Sequence, residues 1–122
     1  MARFEDKAFA PTQWTVVDSQ TNATATATKA AVSGKQHFIT GVSFSMSAAP
    51  AASVTVQVKD GSTVLDQFQI PGGAGTAQAP LVHNYYPPLQ ITSGNAATIT
   101  VGALGATVVG TVVLKGKTFN AP

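Results

Sequence analysis

Alternation of apolar and polar positions dominates the middle of the chain. In residues 38–70 (FITGVSFSMSAAPAASVTVQVKDGSTVLDQFQI), Val42, Phe44 and Met46 alternate with Ser43, Ser45 and Ser47. Val54, Val56 and Val58 then alternate with Thr55, Gln57 and Lys59. A period of two places one set on a buried face and the other toward solvent or a neighbour, so both runs are predicted strands. Asp60-Gly61 follows as a hairpin signal, because Gly accepts positive φ and Asp tolerates it. A two-residue loop there turns Leu65 inward and needs a bulge near Asp66-Gln67 to restore Phe68 and Ile70 to the core. A three-residue loop sends Val64, Phe68 and Ile70 inward but drags Asp66 with them. An unpaired buried carboxylate is costly, so the two-residue turn with a bulge is preferred.

The same pattern continues on both sides. Residues 13–18 (QWTVVD) read as a first strand with Trp14 and Val16 on one face, and residues 19–22 as a turn. Residues 23–32 alternate Ala with Thr, a weakly apolar strand whose small side chains permit close approach. After Ser33-Gly34-Lys35 comes a strand over 36–47, in which Gly41 marks a bulge or a close backbone crossing. Pro50 keeps residues 48–52 out of central pairing, and the glycine-rich 71–76 reads as a plain loop. A strand over 79–86 is closed by Pro87-Pro88, and 89–92 is a short extended piece. Residues 97–104 and 107–115 are predicted to form a final hairpin across Gly105-Ala106. Its last strand is apolar on both faces and hence central, and it is followed by a tail from Gly116 that carries Phe119. About eight strands at this spacing, with a single Glu and no helical period, define a single all-β antiparallel sandwich. Residues 1–12 form an N-terminal arm, and residues 13–122 the domain.

Composition narrows the chemistry. With 122 residues the chain buries enough surface to fold as one domain, and it has no cysteine for disulfides or thiolate metal sites. The segment MARFEDKAFAP lacks the basic-then-apolar pattern of a secretion signal, and no apolar run is long enough to span a bilayer. The seven basic residues are scattered; only Lys115 and Lys117 are close, flanking a glycine read as a turn. Nucleic acid is therefore not an expected partner. Charged residues make up 10% of the chain against about 25% in ordinary soluble domains, leaving a surface of Ser, Thr, Gln, Ala and Gly. Charge is the usual guard of sheet edges, so such a surface suits a protein that packs among copies of itself or against a partner.

No reactive constellation emerges. His37 and His83 have no metal-ligand spacing and read as structural histidines. Asp66 has no second carboxylate facing it across a cleft, Asp60-Gly61-Ser62 supplies too few oxygens for calcium, and no nucleophile elbow is present. The expectation is no catalysis, no cofactor and no metal. Binding character is confined to aromatics. Phe4 and Phe9 punctuate the charged arm, and Tyr85-Tyr86-Pro87-Pro88 places one ring inward and one outward. With Trp14, these five aromatics (Phe4, Phe9, Trp14, Tyr85 and Tyr86) are the candidate protein-interface residues.

Residues 23–115 resemble the small β-sandwich cement, or decoration, proteins of tailed-bacteriophage capsids. The resemblance lies in the strand ATATATKAAVSGKQHFITGVSFSMS, the hairpin VTVQVKDGSTVLDQF and the pair ATITVGALGATVVGTVVLKG. It implies a jelly-roll-like fold and a homo-oligomer, with a trimer favoured over a dimer. The implied partner is the major capsid protein. The implied role is binding the outside of the shell at capsomer junctions and stabilising its expanded form, on a virion assembled in the host cytoplasm. No membrane or nucleic acid contact is implied. The alternative is a receptor- or glycan-binding module of a phage tail or fibre, to which the Tyr pair and the 71–78 loop would contribute.

Overall fold

The computed structural model describes residues 12–73 and 80–121. It contains eight strands: β1 (Thr12–Thr21), β2 (Ala25–Lys29), β3 (Lys35–Met46), β4 (Val54–Asp60), β5 (Thr63–Ile70), β6 (Leu81–Gln90), β7 (Ala97–Val101) and β8 (Val109–Asn120). Two four-stranded antiparallel sheets, ordered β1-β8-β3-β6 and β2-β7-β4-β5, face each other. The order has a simple origin. The chain folds back on itself like one long hairpin, pairing β4 with β5, β3 with β6, β2 with β7 and β1 with β8. Rolling that ribbon brings β3 beside β8 and β4 beside β7. This is a jelly roll, as the resemblance implied, and its apex is the β4–β5 turn at the middle of the sequence.

Alternation along the strands fills the space between the sheets. Ile39, Val42, Phe44, Val112 and Leu114 point in from one sheet, and Ala25, Ala27, Val56, Val58, Ile99 and Val101 from the other. Each large side chain so buried contributes roughly 1.5–3 kcal/mol. Small β2 residues oppose large β7 ones, Ala25 beside Val101 and Ala27 beside Ile99.

The apex keeps the expected two-residue loop and bulge but places both differently. Asp60 pairs with Thr63, so the two loop residues are Gly61 and Ser62, with Gly61 at φ 58°. The bulge falls at Leu65, where the register jumps from Lys59/Val64 to Val58/Asp66. Leu65 is therefore exposed rather than inward, while Asp66, Phe68 and Ile70 share the inner face. The reason is that Asp66 has a partner, described below, so its burial no longer carries the cost of an unpaired charge.

Four further expectations are corrected. Residues 97–104 and 107–115 form no hairpin: β7 and β8 lie in different sheets. The segment between them crosses the end of the sandwich, and Leu104 and Val108 plug the core there. Their apolar character extended the apparent strands. β2 is shorter than the Ala/Thr run, ending at Lys29. β6 runs through Pro87 and Pro88 to Gln90, which an edge strand tolerates because one row of its N–H groups has no ladder to serve. Gly116 is no turn; it lies inside β8, which is central as expected and continues to Asn120, taking Phe119 with it.

Candidate protein interface

Two side-chain networks fix the geometry of the surfaces. The first ties β1, β3 and β8 to the β2–β3 connection. Trp14 Nε1 donates to Thr118 Oγ1 at 2.8 Å, Thr118 Oγ1 lies 2.7 Å from His37 Nδ1, and His37 Nε2 lies 2.8 Å from the carbonyl of Ala30. A carbonyl can only accept, so Nε2 carries the proton and Nδ1 accepts from the Thr118 hydroxyl. Every polar atom in the relay is then satisfied, and His37, 2% exposed, is a structural residue. Trp14 stands edge-on to the His37 ring at a centroid distance of 5.7 Å, and Lys29 Nζ lies 5.8 Å from the indole.

The second network closes the opposite side of the sandwich. The Tyr85 hydroxyl on β6 donates to Asp66 Oδ2 on β5 at 2.9 Å, and Gln67 N donates to the other carboxylate oxygen, also at 2.9 Å. His83 packs between Tyr85 and Phe68, with ring centroids 4.6 and 5.6 Å away. Burial, the hydrogen bond to Asp66 and the Asp66 charge together push the Tyr85 phenol far above its ordinary range.

The structure separates the candidate interface residues. Phe4 and Phe9 lie outside the described residues. Trp14 is half-buried and committed to the relay. Tyr85 is 7% exposed and belongs to the core, whereas Tyr86 is 87% exposed on the edge strand, the one-in, one-out arrangement expected of neighbours on a strand. Residues 85–88 all stand opposite the single residue Thr40, because β3 pairs Ile39 with Leu89 and then Gly41 with Asn84.

The outer face of the β1-β8-β3-β6 sheet carries features that the sequence reading missed. Val17, Val113, Ser43 and Val82 lie in register across all four strands. Val17 is 57% and Val82 67% exposed, so the row ends in two open valines. Toward one end of this sheet, Phe38 and Phe119 meet edge to face at 5.2 Å. With Gln36, Pro88, Lys117 and Asn120 they line a groove of about 470 Å³. The signal for Phe38 was present in Gly41: the register shift between Ile39 and Gly41 reverses the alternation, so Phe38 faces out while Val42 and Phe44 face in. Phe119 gave no such signal, because it was assigned to a tail. Among the described residues, no cluster of three or more His, Asp or Glu could hold a metal ion.

No protein-family model matches this sequence, and no curated protein does. Solved structures do. The fold is similar to a chain in the capsid asymmetric unit of cyanophage Pam1, at 19% identity, over 93% of this chain and 88% of that one, with a TM-score of 0.50. It is similar also to the PRD1 vertex protein P5, at 10% identity over 88% and 96% of the two chains, TM-score 0.49. A chain of tomato aspermy virus matches at 8% identity over 92% and 79%, TM-score 0.42. At these identities the likeness is one of fold alone.

Proposed function

We propose that this chain is a structural virion protein that binds the outside of a phage capsid at capsomer junctions and stabilises the expanded shell. The observation that carries the reading is the outer face of the β1-β8-β3-β6 sheet. It offers an uncharged row from Val17 to Val82 and an aromatic groove at Phe38 and Phe119, within a chain of which 10% is charged. The fold shared with the Pam1 capsid chain agrees with a virion setting. The mechanism is physical. A shell under outward pressure fails at capsomer boundaries, and a homo-oligomer lying across several subunits adds buried area there. Repetition over the lattice makes each weak contact act with its neighbours. Phe4 and Phe9 anchor the arm, which adds as a strand to an exposed edge of the major capsid protein, while Trp14, held in the relay, fixes the root of the arm on β1.

Co-sedimentation with empty heads tests this. The chain is expected to pellet with expanded heads and to raise their resistance to heat. Deleting residues 1–10 is expected to abolish pelleting while leaving the β-sheet spectrum unchanged. A full-length chain that stays in the supernatant at micromolar concentration would refute the role, and undiminished binding after deletion would refute the arm.

A second reading, a glycan- or receptor-binding module of a tail or fibre, is favoured by Tyr86, whose ring is almost fully open beside Pro87. A glycan-array signal that disappears in Tyr86→Ala would support that reading, and no signal with the parent chain would remove it.

A further inference from the structure

The four sheet edges are not equally guarded. An edge strand exposes a row of unpaired N–H and C=O groups, and folded proteins blunt it with proline, bulges, inward charges or shortness. On β6 the guard is Pro87 and Pro88. On β5 it is the bulge at Leu65 and the inward carboxylate of Asp66. β2 has five residues, and the outward N–H of Thr26 is already capped by Asp18 Oδ2 at 2.9 Å.

β1 has none of these. Its ten residues pair with β8 without a break from Thr12/Thr118 to Thr21/Val109. It contains no proline, and its one charge, Asp18, is turned across to Thr26. Among the described residues no backbone group bonds to its outer edge.

We propose that β1 is a self-association edge: two copies of this chain pair β1 against β1 antiparallel, about a two-fold axis at Val17, joining two four-stranded sheets into one of eight. The occupant is a second copy because the strand is self-complementary in that register. Side chains opposite one another must share a face, so the sum of paired residue numbers is even. Centred on Val17, Thr15 meets Ser19, Gln13 meets Thr21, Trp14 meets Gln20 and Val16 meets Asp18, and no like charges oppose. The open Val17 of each copy covers the other, and the Val82–Ser43–Val113–Val17 row runs on unbroken into the second sheet. A two-fold contact uses the same edge on both partners, so assembly through β1 stops at two.

Sedimentation equilibrium of the full chain tests this, with the wild type expected at twice the 12.4 kDa chain mass. Opposed residues on paired strands stand about 5 Å apart, so Val17→Lys and Val17→Glu each place like charges face to face. Each variant alone is expected at the single-chain mass, and an equimolar mixture of the two is expected to regain the dimer. Val82→Lys, at the far edge, is expected to remain dimeric. Should either Val17 variant fail to fold, amide exchange on the wild type decides instead, since the outward amides of β1 are protected only in a paired strand. A monomeric wild type, a dimer undisturbed by Val17→Lys, a dimer lost in Val82→Lys, or outward β1 amides that exchange freely would each overturn the proposal.

Discussion

The Tyr85 hydroxyl on β6 donates to Asp66 Oδ2 on β5 across 2.9 Å, bridging the two sheets along their shared rim. This contact explains why a carboxylate can share the inner face with Phe68 and Ile70. Tyr85→Phe removes the donor and leaves Asp66 half-buried with only its neighbour's amide, so a loss of about 1.5–3 kcal/mol is expected in urea unfolding. Asp66→Asn keeps the shape and should cost less.

Alkaline pH probes the same pair. The phenol of Tyr85 is raised in the folded state by burial and by Asp66, so its contribution is complete below the unfolded value near 10. It is lost as pH climbs above that value, because the unfolded chain releases a proton that the folded one holds. In a Tyr86→Phe background, phenolate absorbance is expected to appear only together with unfolding. Reversible ionisation at pH 10 with the sheet spectrum intact would contradict this.

The relay through His37 predicts a coupled loss. Thr118→Val strands both the indole N–H of Trp14 and the Nδ1 of His37, and His37→Leu strands the Thr118 hydroxyl and the Ala30 carbonyl. Each is expected to cost about 2–3 kcal/mol. Because the two remove parts of one network, the double variant should lose clearly less than the sum, as read by a double-mutant cycle. Additive losses would show the two bonds to be independent.

Local alternation made β3 and β4 legible, since each is bounded by its own turn residues, whereas β8 was legible only as far as Lys115 because Gly116 imitates a turn. The Leu65 bulge was half legible: the sequence showed that a reset was needed but not that Asp66 would find Tyr85, nineteen residues away. The separation of β7 from β8 was not legible, because Leu104 and Val108 look like strand residues and only the closure of the sandwich end makes them plugs. The candidate surface suffered most. The Val17–Val82 row exists only through pairing across four strands, and Phe38 joins Phe119 only after β3 and β8 align Gln36 with Phe119.

Gly116 gives a sharp steric prediction. A Cβ on it would run into the Phe38 carbonyl oxygen and lie 2.5 Å from the Trp14 ring, inside a central strand where backbone cannot retreat. Gly116→Ala is therefore expected to expel the indole and to cost about 3 kcal/mol or more, at the upper end of overpacking losses. Trp14 is the single tryptophan, so its fluorescence reads the site directly. A red-shifted emission should accompany the loss; an unshifted spectrum at wild-type stability would mean that β1 and β8 are held less tightly than their ladder indicates.

Asp60 ties the apex of the ribbon to the β6–β7 connection. Its Oδ2 accepts from Thr92 N at 3.0 Å and Thr92 Oγ1 at 2.7 Å, and its Oδ1 from Asn95 Nδ2 at 2.9 Å. Partial burial works to raise its carboxyl, but the three hydrogen bonds outweigh it and hold the group below the usual carboxylate range. With the folded value depressed, the stabilisation is complete above the unfolded value near 4 and is lost as pH falls through the folded one. The wild type is thus expected to lose part of its thermal stability below about pH 4. Asp60→Asn, which keeps the size but not the charge, should start lower by about 1 kcal/mol at neutral pH and show a flatter acid slope. Melting curves from pH 7 to pH 2.5 for the two proteins check this, and identical slopes would place the acid sensitivity elsewhere.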